Sequence, residues 1–263
     1  MTKRFLIFPW LFSLVPFHLV AGSLTFTTID VPGSLGTQPR GINDSGQVVG
    51  PGCLLSGGIF STPDFPGSTS TEPFGINDSG QVVGNYYTNA VHGFLLSGGI
   101  YRTLDFPFSA FTAANGINDT GQVVGSYAYA NGPNHGFLLN GGVFSTLDFP
   151  GSTSTIAFGI NDSGQVVGSY SGVGISIGAF LLSGGIFSTI DVPGSTWTIP
   201  YGINDNGLIV GEYTTSDGVR LTTHGFLATP TPIPEPGTWV STVSTLGLIA
   251  VWSWRRRRPS SSQ

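Results

Sequence analysis

Short apolar runs alternate along this chain with breaks rich in Gly, Asn, Asp and Ser. The stretch from Ala157 shows the pattern. Ala157-Phe-Gly-Ile-Asn161 predicts a strand, Asp162-Ser-Gly164 a turn, and Gln165-Val-Val-Gly-Ser-Tyr170 a second strand. After a variable loop, Ala179-Phe-Leu-Leu182 predicts a third strand, Ser183-Gly-Gly185 a turn, and Ile186-Phe-Ser-Thr-Ile-Asp-Val192 a fourth. Runs this short between Gly and Asn breaks read as strands rather than helices, because Gly reaches positive φ freely and Asn or Asp bonds the local backbone. One break, Asn140-Gly141, is the strongest tight-hairpin dipeptide. Apolar residues fall on both alternations of each run, so both faces of every sheet are expected to be covered.

The pattern is copied. Gly41-Ile-Asn-Asp-Ser-Gly-Gln-Val-Val-Gly50 recurs in near-identical form from Gly75, Gly116, Gly159 and Gly202, at spacings of 34, 41, 43 and 43 residues. A period in this range marks one supersecondary unit repeated, and four antiparallel strands in about 42 residues is the spacing of a propeller blade. The fifth unit supplies Gly202-Ile-Asn204, Leu208-Ile-Val-Gly-Glu-Tyr213 and His224-Gly-Phe-Leu-Ala228 and then stops. A spare copy of the missing strand, Leu24-Thr-Phe-Thr-Thr-Ile-Asp30, lies near the chain start, followed by Val31-Pro-Gly-Ser34. The expected fold is all-β, a five-bladed β-propeller of four-stranded blades over residues 22–228, with that strand docked on the fifth blade to remove an exposed edge. An open β-solenoid of the same units is the alternative.

Charge is sparse and uneven. Charged residues are 9% of the chain, and residues 22–233 carry thirteen acids against Arg40, Arg102 and Arg220, a net charge of about −10. That balance excludes the electrostatic footprint of a nucleic-acid binder. Aromatic residues, at 12%, provide for a packed core. Cys53 is the single cysteine, so no intramolecular disulfide holds the fold. It occupies the slot filled by Phe94, Phe137, Phe180 and Phe226 in the other units and reads as a small buried apolar residue.

The two ends read as addresses. Met1-Thr-Lys-Arg4, the apolar run Phe5–Val20 and the small residues Ala21-Gly22 have the order of a secretory signal peptide over residues 1–21. A Pro-rich linker spans residues 229–237. Thr238–Trp254 is an uncharged stretch of 17 residues, long enough as a helix to be an expected transmembrane segment, with Arg255, Arg256, Arg257 and Arg258 in a basic cytoplasmic tail, 255–263. Pro234-Glu235-Pro236 stands just before it. Pro-Glu-Pro, an apolar span and a terminal Arg cluster together resemble the PEP-CTERM sorting signal of Gram-negative bacteria. That resemblance implies an exported protein, held in the membrane by its tail and then displayed at the cell surface or in a biofilm matrix. It makes Pro234, Glu235 and Pro236 recognition residues for a membrane protease, an exosortase. The repeat phrases, with Phe-Ser-Thr-Leu-Asp-Phe-Pro-Gly-Ser-Thr and His-Gly-Phe-Leu-Leu, resemble the HAF family of bacterial extracellular repeats over residues 24–228. That family implies compartment and repetition, and no activity.

Chemistry is harder to find in the repeats. Asp44, Asp78, Asp119, Asp162 and Asp205 each follow an Asn. The loop lacks the alternating carboxylates of a Ca²⁺ site, and turn hydrogen bonds account for the pair. Asp30, Asp64, Asp105, Asp148 and Asp191 recur at strand ends and read as caps of the following turn. A glycosidase needs two carboxyls in different environments, whereas each unit repeats the same one. The acids that break the repeat, Glu72, Glu212 and Asp217, make poor candidates for such a pair. His92, His135 and His224 precede Gly-Phe-Leu in three units, and a ring would hold them apart. No metal, cofactor or catalytic set is expected. The expected role is non-enzymatic: a structural or display protein of the surface or matrix. A lectin-like module is the second reading, binding extracellular polysaccharide through Tyr86, Tyr87, Tyr127, Tyr129, Tyr170 and Tyr213, which follow Val-Val-Gly or Ile-Val-Gly. Five weak sites on one rigid body would gain avidity on a polymer. Core packing is the competing reading of the same tyrosines.

Overall fold

The computed structural model describes residues 29–32 and 37–229. Its elements are strands throughout, with no helix among the described residues. The first unit contains β1 (Gly41–Ile42), β2 (Val48–Gly50), β3 (Cys53–Ser56) and β4 (Ile59–Ser61). The second contains β5 (Ser70–Ile76), β6 (Val82–Tyr87), β7 (Val91–Ser97) and β8 (Ile100–Leu104). The third contains β9 (Phe111–Ile117), β10 (Val123–Ala128), β11 (Asn134–Asn140) and β12 (Val143–Leu147). The fourth contains β13 (Ser154–Ile160), β14 (Val166–Gly172), β15 (Ile175–Ser183) and β16 (Ile186–Ile190). The fifth contains β17 (Trp197–Ile203), β18 (Ile209–Ser216) and β19 (Leu221–Ala228). Within each unit consecutive strands pair antiparallel, and a single parallel bridge, Val91 to Phe111, joins the second and third sheets.

The first four units have the four strands that the repeat predicts and the fifth has three among the described residues, with one difference in their limits. In the fourth unit the first strand starts at Ser154 rather than Ala157, and β14 and β15 stay paired out to Gly172 and Ile175. The variable loop is thus largely a hairpin, because each further antiparallel pair satisfies backbone groups that a loop would leave to water.

The repeated phrase can be decoded residue by residue. Its two valines serve different cores. Val82 packs with Ile76, Tyr86 and Phe94 of its own unit, joined there by Val49 of the unit before; Val83 in turn enters the core of the third unit, and Val124 that of the fourth. The glycine after them is demanded by sterics. It pairs across the sheet with the Phe of Gly-Phe-Leu, as Gly84 with Phe94, Gly125 with Phe137 and Gly168 with Phe180. A Cβ on Gly125 would stand 2.8 Å from the Phe137 ring, and one on Gly168 would stand 2.6 Å from Phe180. The rings therefore lie over bare backbone and become fully buried. In the first unit Cys53 faces Gly50 in the same register and is buried, which pushes its thiol pKa up and leaves it a poor nucleophile.

The fifth unit differs from the other four. Val49, Val83, Val124 and Val167 are 0% exposed, whereas Val210 is 50% exposed. Ile42 of the first unit is 70% exposed, against 8%, 8% and 7% for Ile76, Ile117 and Ile160. The contacts that one unit makes with the next are thus made at four junctions, and among the described residues they are not repeated between the fifth unit and the first. The spare strand, Leu24 to Asp30, lies outside the described residues up to Thr28, and Ile29 and Asp30 are described without belonging to a strand.

One turn breaks its own rule. The Pro-Gly-Ser turns place Gly67, Gly151 and Gly194 at φ of 81, 78 and 82°. The third-unit equivalent is Phe108, at φ 64° and 98% exposed. An L side chain in this region costs about 1–2 kcal/mol, of which glycine's extra unfolded-chain freedom returns part. Phe108→Gly is expected to stabilise the fold by about 0.5–1 kcal/mol, read as a Tm about 2 °C higher. An unchanged or lower Tm would show that the ring makes contacts worth its strain.

Candidate functional site

Four of the five units carry a β-bulge at one and the same place, in the first strand. Pro73 pairs with Gly84 and Gly75 with Val83, so Phe74 is skipped. The same shift skips Asn115 between Ala114 and Gly116, Phe158 between Ala157 and Gly159, and Tyr201 between Pro200 and Gly202. In the first unit Arg40 holds the equivalent position before Gly41, its N–H donating to Val49 O at 2.7 Å. A bulge leaves one residue unpaired and re-aims its side chain. These five side chains, with Pro39, line one cavity of about 510 Å³. It brings together one residue from every unit. The glycine that follows each bulge lets the next unit approach: a Cβ on Gly75 would stand 3.3 Å from Gly116 Cα, and one on Gly116 would stand 3.3 Å from Gly159 Cα.

The lining is mixed in chemistry. The Arg40 guanidinium sits 5.4 Å from the centroid of the Phe74 ring, within cation–π range. Phe158 and Tyr201 meet edge to face with centroids 5.8 Å apart. Asn115 Nδ2 donates to Ala157 O at 2.8 Å, which leaves its Oδ1 and second N–H without a partner among the described residues. The Tyr201 hydroxyl donates to Glu212 Oε1 at 2.9 Å. Burial first, then the Glu212 hydrogen bond and charge, push the Tyr201 pKa up to about 12 despite the opposing pull of Arg40. Tyr201 therefore stays a neutral donor at any physiological pH.

Outside the cavity the recurring polar residues are engaged in structure. Asn43, Asn77, Asn118 and Asn161 are buried. Each Nδ2 donates to the carbonyl of the next unit's Asn at 3.0 Å and to a Gln in its own turn at 2.8 Å. Beside them the N–H of Asp44, Asp78, Asp119 and Asp162 donates to Oδ1 of the next unit's Asp, at 2.8 Å in each case. The Asn–Asp pair thus does more than form its own turn. It also joins units.

The strand-end Asp residues do not cap the following turn as expected. Asp105 and Asp148 pair instead with His92 and His135, at 2.9 and 2.8 Å. Threonine closes the turn in their place, as where Phe106 N–H donates to Thr112 Oγ1 and Phe149 N–H to Thr155 Oγ1. The threonine sits in the next unit's first strand, so this bond also ties one unit to the next. No group of three or more His, Cys, Asp or Glu residues placed to hold a metal occurs among the described residues.

The tyrosines divide. Tyr86, Tyr127 and Tyr170 are buried and stack face to face on Phe65, Phe106 and Phe149, with centroids 3.7, 3.5 and 3.7 Å apart. Their faces are already covered, so the core-packing reading describes them and they offer no platform to a ligand. Tyr87 is half-buried and donates to Glu72 at 3.2 Å, its pKa raised by burial and by that carboxylate. Tyr213 is half-buried against the His224 ring, 5.1 Å away, and Tyr129 is exposed. Pro234, Glu235, Pro236 and the Arg255–Arg258 cluster lie outside the described residues, as does the apolar span. Among the described residues no helix is long and apolar enough to cross a membrane.

Sequence reasoning missed the cavity residues. A signal was there: in x-Gly-Ile-Asn the residue before the glycine reads Arg40, Phe74, Asn115, Phe158 and Tyr201, a divergent column inside a near-invariant phrase. No family model matches the chain, and no curated protein matches it. Among solved structures it is similar to TolB from Acinetobacter baumannii, at 15% identity and a TM-score of 0.55, over 72% of this chain and 51% of that one. The chain thus spans about half the length of that protein. It is also similar to a triple Arg-to-Ala mutant of AofleA from Arthrobotrys oligospora, at 14% identity and a TM-score of 0.41, over 72% of this chain and 65% of that one. The fold is β-propeller-like, a repeated all-β array.

The Asp row carries a pH prediction. Asp119 accepts a backbone N–H from Asp78, which favours its charged form, but burial and the flanking Asp78 and Asp162 carboxylates prevail and raise its pKa. A carboxyl raised in the folded state makes folding less favourable once both states are ionised, and this cost disappears as pH falls below the unfolded pKa. Asp119→Asn keeps the acceptor oxygen and removes the charge. Its Tm should exceed that of the parent at pH 7 by a small margin and match it near pH 3. A Tm lower at both pH values would show that the charge itself holds the row together.

Proposed function

We propose that this chain is an exported, non-enzymatic surface protein whose repeat body is a closed five-bladed β-propeller displaying one binding site at its hub. One observation carries the binding role. The units are near-copies everywhere that structure demands it, and they diverge at the bulge residues that line the inner cavity. A purely architectural ring has no need of Arg, Phe, Asn, Phe and Tyr at five equivalent positions. The non-enzymatic reading is supported by how the recurring acids are used, since they bond to backbone N–H groups and to histidines of the scaffold.

Closure is supported by the seam. β19 lacks a fourth-strand partner among the described residues, and Leu227 is 62% exposed. The register of β7 with β8 pairs Leu95 with Arg102. Carried to a closed fifth unit, that register would put Thr27 opposite Leu227 and Asp30 beside His224, the partner that His92 finds in Asp105. Cysteines at Thr27 and Leu227 should then oxidise to an intrachain disulfide, seen as faster migration in a non-reducing gel and a raised Tm. Intermolecular dimers instead would point to strand exchange between chains, and no disulfide at all to an open array.

Export and display rest on the two ends. A basic-apolar-small start, Pro234-Glu235-Pro236, an apolar span and Arg255–Arg258 support a secreted precursor whose tail an exosortase-type protease removes. Replacing Pro234, Glu235 and Pro236 by alanine should leave the tail attached, so the protein stays in the membrane fraction and runs heavier than the processed form. Normal release of that variant would remove the sorting reading.

A further inference from the structure

We infer that the inner cavity binds a neutral sugar, a pyranose held at one site per chain; this deepens the hub-site reading and rests on it. A pyranose has a flat C–H face and a rim of hydroxyls that both donate and accept. The cavity offers Phe158 and Tyr201 as aromatic surfaces, and around them a guanidinium that only donates, an amide that does both, and the Tyr201 hydroxyl, which can accept while its own hydrogen goes to Glu212. Its volume, about 510 Å³, falls in the range of small-molecule sites.

The charges argue against ions. Arg40 is exposed, and among the described residues no carboxylate lies within salt-bridge distance of it; its one side-chain contact is a long one, from Nη2 to Gln38 Oε1 at 3.5 Å, so most of its fork is open to a ligand. Yet it is the single cation of the lining, with Glu212 close by on Tyr201 and a body of net charge about −10 around it. An anionic polymer would meet repulsion on approach. A cationic ligand would meet Arg40. A fully apolar ligand would strip water from Arg40 and Asn115 without replacing it. Hydroxyls satisfy all of these groups at once.

Position strengthens the case. Phe74, Asn115, Phe158 and Tyr201 are each placed by a bulge in a paired strand, and Arg40 stands directly before β1, so the site is built on sheet rather than on the variable loops. A repeated set of loop sites is disfavoured, because Tyr86, Tyr127 and Tyr170, which would stack on sugars, already stack on phenylalanines, and Tyr87, Tyr129 and Tyr213 recur in no common arrangement.

The test is calorimetric titration of the full chain, kept in a zwitterionic detergent free of sugar headgroups. The probes are neutral trisaccharides of glucose, mannose and galactose, with tri-galacturonate as the acidic arm. Saturable binding of a neutral trisaccharide is expected, at one site per chain. It should weaken at least tenfold in both Phe158→Ala and Arg40→Ala and persist in Asp217→Asn. Arg40 is exposed, so its variant reports on binding even if Phe158→Ala loses stability. Binding of tri-galacturonate alone would overturn the neutral class and leave the hub site standing. Neutral-sugar binding untouched by Arg40→Ala and Phe158→Ala, or near five sites per chain, would overturn the hub site. Failure of every probe to bind would overturn the sugar inference.

Discussion

Everything in this structure leans on a buried asparagine. Asn43, Asn77, Asn118 and Asn161 each accept a backbone N–H through Oδ1 inside their own turn, and each donates through Nδ2 to a Gln of that turn and to the carbonyl of the next unit's Asn. A buried amide with its partners complete is rigid, and one left with an orphan costs about 1–3 kcal/mol. The side chain therefore fixes two things together: the shape of a turn and the placement of the neighbouring sheet. Gln47, Gln81, Gln122 and Gln165 hold it from one side, and the glycine two residues before it removes the Cβ that would push the next unit away.

The fifth unit tests this logic by omission. Leu208 stands where the others have Gln, so Asn204 lacks that side-chain partner, and Asn204 is exposed. The same unit leaves Val210 half out of any core. Among the described residues the contacts that Val210 and Asn204 would make with a neighbouring unit are not present. Stability in such an array is a sum over units and junctions, so an unmade junction is a cost carried by the whole domain.

A scaffold made of equal parts still needs a place where the parts differ. Here the bulge supplies it. Because a bulged residue drops out of the ladder, its side chain is free of the pairing that constrains its neighbours. Phe74, Asn115, Phe158 and Tyr201, and Arg40 in the matching place before β1, can therefore vary while Gly, Ile and Asn beside them do not. Phe108 is the counterexample on the outer surface: it replaces a turn glycine at a conformational cost and packs against nothing large, being almost fully exposed.

Much of the fold was legible in the sequence. Strand number per unit, the turns at Asp162-Ser-Gly164 and Ser183-Gly-Gly185, and the burial of Cys53 in a phenylalanine slot all follow from local chemistry and a visible period. What lay outside it was every relation between units. A tyrosine two residues past Val-Val-Gly looks the same in sequence whether it faces solvent or a phenylalanine, and Tyr86 faces Phe65 only because the first unit's last turn folds over the second unit's core. The strand-end Asp and the His of Gly-Phe-Leu stand 13 residues apart and meet only through the register of two strands. The divergent column was readable, but not its meaning. Five separate residues become one cavity because packing sheet against sheet brings the same position of each unit together, and that convergence exists only in the packed structure.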